Sequence, residues 1–188
     1  MPKNKQLCLL HANCQGEPLA RLLLLSAGFS RRWEVRHYTN YTRENIAEAD
    51  LERCGLFLYQ YLDGKWGELA SSSLLARLGS EAGSICLPNM YFKGCWPFLT
   101  NDSPIDFGDS FLNRLIDQGV EKPAILKLYL HGDITKFIDL EAALAETFRL
   151  EEEKERHCAI KTVWLVRECW RRRMLFHTCN HPGKMLQV

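Results

Sequence analysis

The sequence predicts an α/β fold: a small parallel sheet of about four strands in the N-terminal half, with a mainly helical C-terminal half packed on it. Three observations carry that expectation. Short apolar or alternating runs at 6–11, 33–38, 54–60 and 83–87 have strand length and strand periodicity. Segments with helical spacing lie between them on short connections, and such alternation favours parallel strands covered on both faces. Beyond residue 106, apolar residues recur at helical spacing at 109–118, 123–130, 140–157 and 159–174.

The elements follow in order. Gln6 to His11 is apolar enough for a buried strand, and the next helix has Pro18 in its first turn, runs to Ala27 and stops at Gly28. WEVRHY (33–38) alternates like a half-buried strand, and 42–49 is a short helix. CGLFLYQ (54–60) is a continuous apolar strand closed by the turn Asp63-Gly64; 66–78 is a helix; GSICL (83–87) is a strand ended by Pro88. Right-handed crossovers place all four strand C-termini along one edge, where open α/β sheets carry their sites. The turns at 13–16, 39–40, 60–64 and 88–94 lie there.

At 188 residues, with 46% hydrophobic and 25% charged residues, the chain fits a single domain, 1–188, large enough to bury a real core. Within it 1–95 forms the α/β part and 106–188 the helical part, with 95–106 the nearest thing to a linker. A net charge of +1 gives no basis for nucleic-acid binding or a polybasic membrane tail. The apolar run Leu7–Leu10 is too short for a signal peptide or membrane span, so a soluble, cytoplasmic protein with no integral membrane segment is expected.

Eight scattered cysteines without a CxxC pair read as reduced thiols, most of them packing residues. Cys14 stands apart. It sits in HANCQGEP, where a strand hands over to a helix N-terminus, and unpaired N–H groups there stabilise a thiolate. The N–H groups of Gln15 and Gly16 are candidates to hold an oxyanion beside the sulfur. A packing thiol remains the alternative reading.

Four further stretches are candidates. In LFHTCNHPGK, alternating His177, Cys179 and His181 would face one way on a strand as metal ligands, but no carboxylate or second cysteine pair accompanies them; His181 as a general base is the other reading. YFKGCWPF (91–98) is either a loop covering the sheet edge or a ligand wall with Lys93 for a phosphate. Arg171–Arg173 suits a helix C-terminus and also phosphate binding. Gly108-Asp109-Ser110 spells a hydrolase nucleophile motif, yet Asp109 reads as a helix N-cap there.

ANCQGEPLARLL, LFLYQ, LPNMYFKGCWPF, FGDSFLNRLIDQG and LFHTCNHP, in this order, resemble the WcbI-type family of capsular-polysaccharide biosynthesis proteins. The resemblance implies coenzyme A binding, with acetyl-CoA as a substrate and no metal, and O-acetyl transfer from that small-molecule donor to a sugar or polysaccharide precursor. It also implies a partly SGNH-hydrolase-like α/β subdomain. In that hydrolase pattern Cys14 occupies the nucleophile position, Gln60 the oxyanion-hole Asn position, and His181 the histidine of D-x-x-H-P; Thr178 stands where the Asp would be. Gln15, Gly16, Asn89, Tyr91, Lys93, Arg172 and Lys184 are the candidate coenzyme contacts. A non-catalytic coenzyme A or nucleotide-binding module and a metal-dependent or SGNH-like hydrolase are the alternatives.

Overall fold

The computed structural model describes residues 5–90, 92–94, 96–100, 108–132 and 134–172. Strands β1 (Gln6–Ala12), β2 (Trp33–Thr39), β3 (Cys54–Gln60) and β4 (Gly83–Leu87) form one parallel sheet in the order β2-β1-β3-β4. Helices α1 (Gly16–Leu25) and α2 (Ala27–Arg32) connect β1 to β2, α3 (Glu48–Arg53) precedes β3, and α4 (Ser71–Ala76) leads toward β4. The predicted fold class is what is found: a four-stranded parallel sheet in the N-terminal half and helices in the C-terminal half.

Strand side chains alternate between the two faces, and each face meets different helices. Leu7, Leu9, Phe57 and Tyr38 pack with Ile46, Leu51 and Leu74, while Cys8, Leu10, Ala12 and Leu58 face Leu19, Leu23 and Phe29. The β1–β3 register shifts between Leu7 and Cys8, so Gly55 is passed over and Cys54 joins the same face as Phe57. A Cβ on Gly55 would lie 3.1 Å from the Trp33 ring.

Three local expectations give way to stronger local chemistry. The helix expected over 18–27 is two helices, because Ser26 is extended (φ −73°, ψ 114°) and its Oγ accepts from Phe29 N to start α2. The helix expected over 66–78 is a 3-10 stretch, Gly64–Leu69, kinked at Gly67 with φ +60° and followed after Ala70 by α4. The helix expected over 42–49 forms later, as α3. Asp50 in its first turn accepts from Tyr38 Oη at 2.6 Å and pairs with Arg36. The Tyr38 hydroxyl, and after it Arg36, hold the buried Asp50 carboxyl below its usual range.

The chain divides into two compact units, 1–90 with 154–188, and 91–153. In the first, the segment after residue 154 is fastened to the sheet at β4: Ala159 N donates to Cys86 O at 3.0 Å, and the Cys86 and Cys158 sulfurs lie 3.8 Å apart. Buried Glu155 then accepts from Thr162 N, Thr162 Oγ1 and Val163 N, capping α8 (Val163–Arg171). The second unit holds α5 (Ser110–Asp117), α6 (Lys122–His131) and most of α7 (Leu140–Lys154). Leu99–Thr100 (β5) pairs antiparallel with Gly108–Asp109 (β6). Asp109 Oδ1 accepts from Phe111 N and Leu112 N, the expected N-cap. Rings of Phe98 and Tyr129 stack on Phe111 of α5, and Phe137 packs against it tilted.

Candidate functional site

In the order β2-β1-β3-β4 the chain leaves β1 toward one sheet edge and β3 toward the other. Their carboxyl ends therefore flank the point where connections diverge, the position that leaves a crevice in open α/β sheets. The Asn13–Gly16 turn sits at the end of β1 and Gln60 ends β3.

An amide network joins all four strand ends here. Asn13 N donates to Gln60 Oε1 at 2.8 Å, and Asn40, the first residue past β2, donates to the same oxygen at 3.5 Å. Gln60 Nε2 donates to Gln15 Oε1 at 2.6 Å and to Pro88 O, just past β4, at 3.5 Å. Asn13 Nδ2 donates to Asn89 Oδ1 at 3.0 Å. The turn closes on itself: Gln15 N donates to Asn13 Oδ1 at 2.9 Å and Gly16 N to Asn13 O at 2.8 Å. Cys14 is half-buried between the two anchored residues of this turn.

Two expectations change. The N–H groups of Gln15 and Gly16, proposed from sequence to face an oxyanion, are both engaged inside the turn. Gln60 lies where the sequence placed it, but it is 2% exposed and both its amide hydrogens point at acceptors, so here it holds the turn. Gly16 is needed for space, since a Cβ there would lie 2.1 Å from His37 Nε2. Arg172, at the end of α8, pairs with Glu168 at 2.5 Å on the surface, and Lys93 lies in the 91–153 unit. Tyr91, His177, Cys179, His181 and Lys184 lie outside the described residues. Among the described residues no cluster of three metal-ligating side chains occurs, and no helix is long and apolar enough to cross a membrane.

Four other thiols differ from Cys14 in setting, while Cys169 is half-buried like it. Cys8, Cys54, Cys86 and Cys158 are buried, and burial pushes their pKa values up, to about 12 for Cys8 and Cys158. His11, next to last in β1, is fully buried. Its Nε2 has no hydrogen-bond partner among the described residues, and burial followed by the nearby His37 lowers its pKa to about 4. Asn13 and Asn40 lie in turns that the sequence places on this edge without a role of their own, and His11 and His37 carry no sequence signal of a site. The available signal was positional: a polar amide immediately follows two of the strand runs and ends a third.

Fold and site together define an open, parallel α/β protein with a half-buried thiol and an amide network at its topological switch point. The chain belongs to the WcbI polysaccharide biosynthesis enzyme family, whose model matches residues 7–187. No curated protein matches it in sequence. A solved structure of WcbI, described as a novel polysaccharide biosynthesis enzyme, superposes with a TM-score of 0.76 at 17% identity over 95% of this chain. That structure is described as the native protein without a disulfide bond between coenzyme A and its Cys14. The present chain spans 65% of that protein's length.

Proposed function

We propose that this protein transfers an acetyl group from acetyl-CoA to a hydroxyl of a sugar or polysaccharide precursor, with Cys14 as the reacting thiol. The observation that carries the proposal is the placement of Cys14 in a turn tied by Asn13 and Gln15 to the ends of β1, β3 and β4. A nucleophile has to meet its carbonyl at a fixed distance and angle, and a turn held at both flanks supplies that order. Family membership supports polysaccharide chemistry, and the solved relative's description pairs coenzyme A with a cysteine.

The residues present fit the coenzyme's thioester: a half-buried thiol beside amide groups suits a carbonyl that must be polarised. When bound, the coenzyme supplies the activated acyl group. Cys14 accepts it, and His181 is assigned as the base that removes the thiol proton and later the sugar hydroxyl proton. Tyr91, Lys93, Arg172 and Lys184 are assigned to the coenzyme's pantetheine and phosphates. Use of acetyl-CoA fits a cytoplasmic site of action.

The test is a thermal unfolding series with coenzyme A, acetyl-CoA and ATP, alongside transfer assays. Coenzyme A and acetyl-CoA raise the midpoint and ATP does not; Cys14→Ala keeps the shift and loses transfer. Normal transfer by Cys14→Ala removes the thiol from the mechanism. A midpoint shift with no turnover on any sugar acceptor makes the protein a binding module instead.

A further inference from the structure

The polarity of the amide network is fixed by groups that cannot change roles. A backbone N–H only donates, so the Asn13 N–H forces Gln60 to present Oε1 to it. Gln60 must then turn Nε2 toward Gln15, which receives it with Oε1. The Gln15 amide is thereby oriented with Nε2 on its remaining side. A second chain runs the same way. The Gln15 N–H fixes Asn13 Oδ1 as acceptor, so Asn13 Nδ2 donates to Asn89 Oδ1 and leaves Asn89 Nδ2 at the end.

Both chains terminate in an NH2 group that has no hydrogen-bond partner among the described residues. Gln15 adjoins Cys14 in the chain, and Asn89 is bonded to Asn13 on its other side. Both are half-buried, so their donors are partly shielded from water. Two amide chains that both end in donors, one on the residue after the thiol and one bonded to the residue before it, are suited to a site where negative charge develops.

We infer that Gln15 Nε2 and Asn89 Nδ2, with orientations locked by the Asn13 and Gln15 backbone N–H groups, are the donors that stabilise the oxyanion formed when Cys14 attacks an acyl carbonyl. The inference rests on the acyl-transfer reading and replaces Gln60 and the turn N–H groups in that role. In the step served, Cys14 Sγ, its proton released to a base, forms an S–C bond to the carbonyl carbon. The carbonyl π pair moves onto oxygen, where the two amides donate to it. Collapse of the tetrahedral species re-forms the C=O, breaks the bond to the leaving sulfur or oxygen, and that group takes up a proton. Gln60 and Asn13 are positioning residues.

The test uses Gln15→Glu and Asn89→Asp. Each keeps the oxygen that accepts from the network and exchanges only the free NH2 for an oxygen, so the internal hydrogen bonds survive. Acylation of Cys14 by p-nitrophenyl acetate and alkylation by iodoacetamide are followed by intact mass and peptide mapping. Alkylation forms no oxyanion, so the ratio of the two rates removes changes in thiolate supply. The ratio falls about 10²–10³-fold in each variant, the cost of one lost oxyanion donor. A ratio at the wild-type value in either variant overturns the paired assignment. Acetyl-CoA forms a separate arm. Wild type acylated by the ester but not by acetyl-CoA refutes the coenzyme reading and leaves the donors in place; wild type acylated by neither overturns both.

Discussion

Replacing Gln60 by Leu tests whether the amide network holds the site. The substitution puts an apolar side chain of similar bulk at a 2% exposed position and deletes every polar atom of the side chain. Asn13 N–H loses an acceptor at 2.8 Å and Gln15 Oε1 loses a donor at 2.6 Å. A buried group left without its partner costs about 1–3 kcal/mol; both of these are half-buried, which places the combined loss at about 2–4 kcal/mol. For a chain of this size that corresponds to a fall of about 4–15 °C in the melting midpoint. Urea unfolding of wild type, Gln60→Leu, Gln15→Ala and the double variant supplies a thermodynamic cycle. The Gln60–Gln15 bond appears there as a coupling of about 0.5–1.5 kcal/mol. Destabilisation of Gln60→Leu below about 1 kcal/mol, or zero coupling, refutes the network as the element that orders the Cys14 turn.

The remaining predictions rest on separate contacts. Gly16→Ala places a methyl 2.1 Å from His37 Nε2 and destabilises by about 1–3 kcal/mol, and adding His37→Ala recovers most of that loss in the same urea assay. His11 titrates at about 4 when folded against 6.5 unfolded, so the unfolded chain binds the extra proton between those values. Stability therefore falls as pH drops from about 6.5 to about 4, by up to about 3 kcal/mol, and His11→Leu flattens that slope; an unchanged slope refutes it. Asp50, whose folded pKa is lowered, loses its contribution only at still lower pH, below 3.8. Iodoacetamide at neutral pH alkylates Cys14 ahead of Cys8, Cys54, Cys86 and Cys158, which burial keeps as thiols, and peptide mapping reads the order.

What was legible in the sequence was local. CGLFLYQ and GSICL match β3 and β4 end to end, because continuous apolar runs bounded by Gly, Asp or Pro leave one choice of period and limit. Helical spacing continues across Ser26, yet the serine accepts from Phe29 N and ends the first helix there. The 3-10 stretch before α4 turned on the left-handed Gly67, and a glycine inside an apolar pattern does not announce its φ.

The site was legible by position and not by role, for a physical reason. Cys14 and Gln60 were found from the strand ends alone, since any parallel sheet gathers those ends on one edge. The direction of each hydrogen bond depends on partners 47 and 76 residues away, Asn13 with Gln60 and Asn13 with Asn89. No local pattern carries that information. Amides are ambiguous alone, because each offers an acceptor on one side and donors on the other. Backbone N–H groups remove the ambiguity, and from the two in this turn the orientation of Gln60, Gln15, Asn13 and Asn89 follows in sequence. Reversing any one of these amides would set donor against donor or oxygen against oxygen, and the two backbone N–H groups keep either chain from turning over as a whole. This is the sense in which the fold, rather than any single residue, determines what Cys14 is offered as a partner.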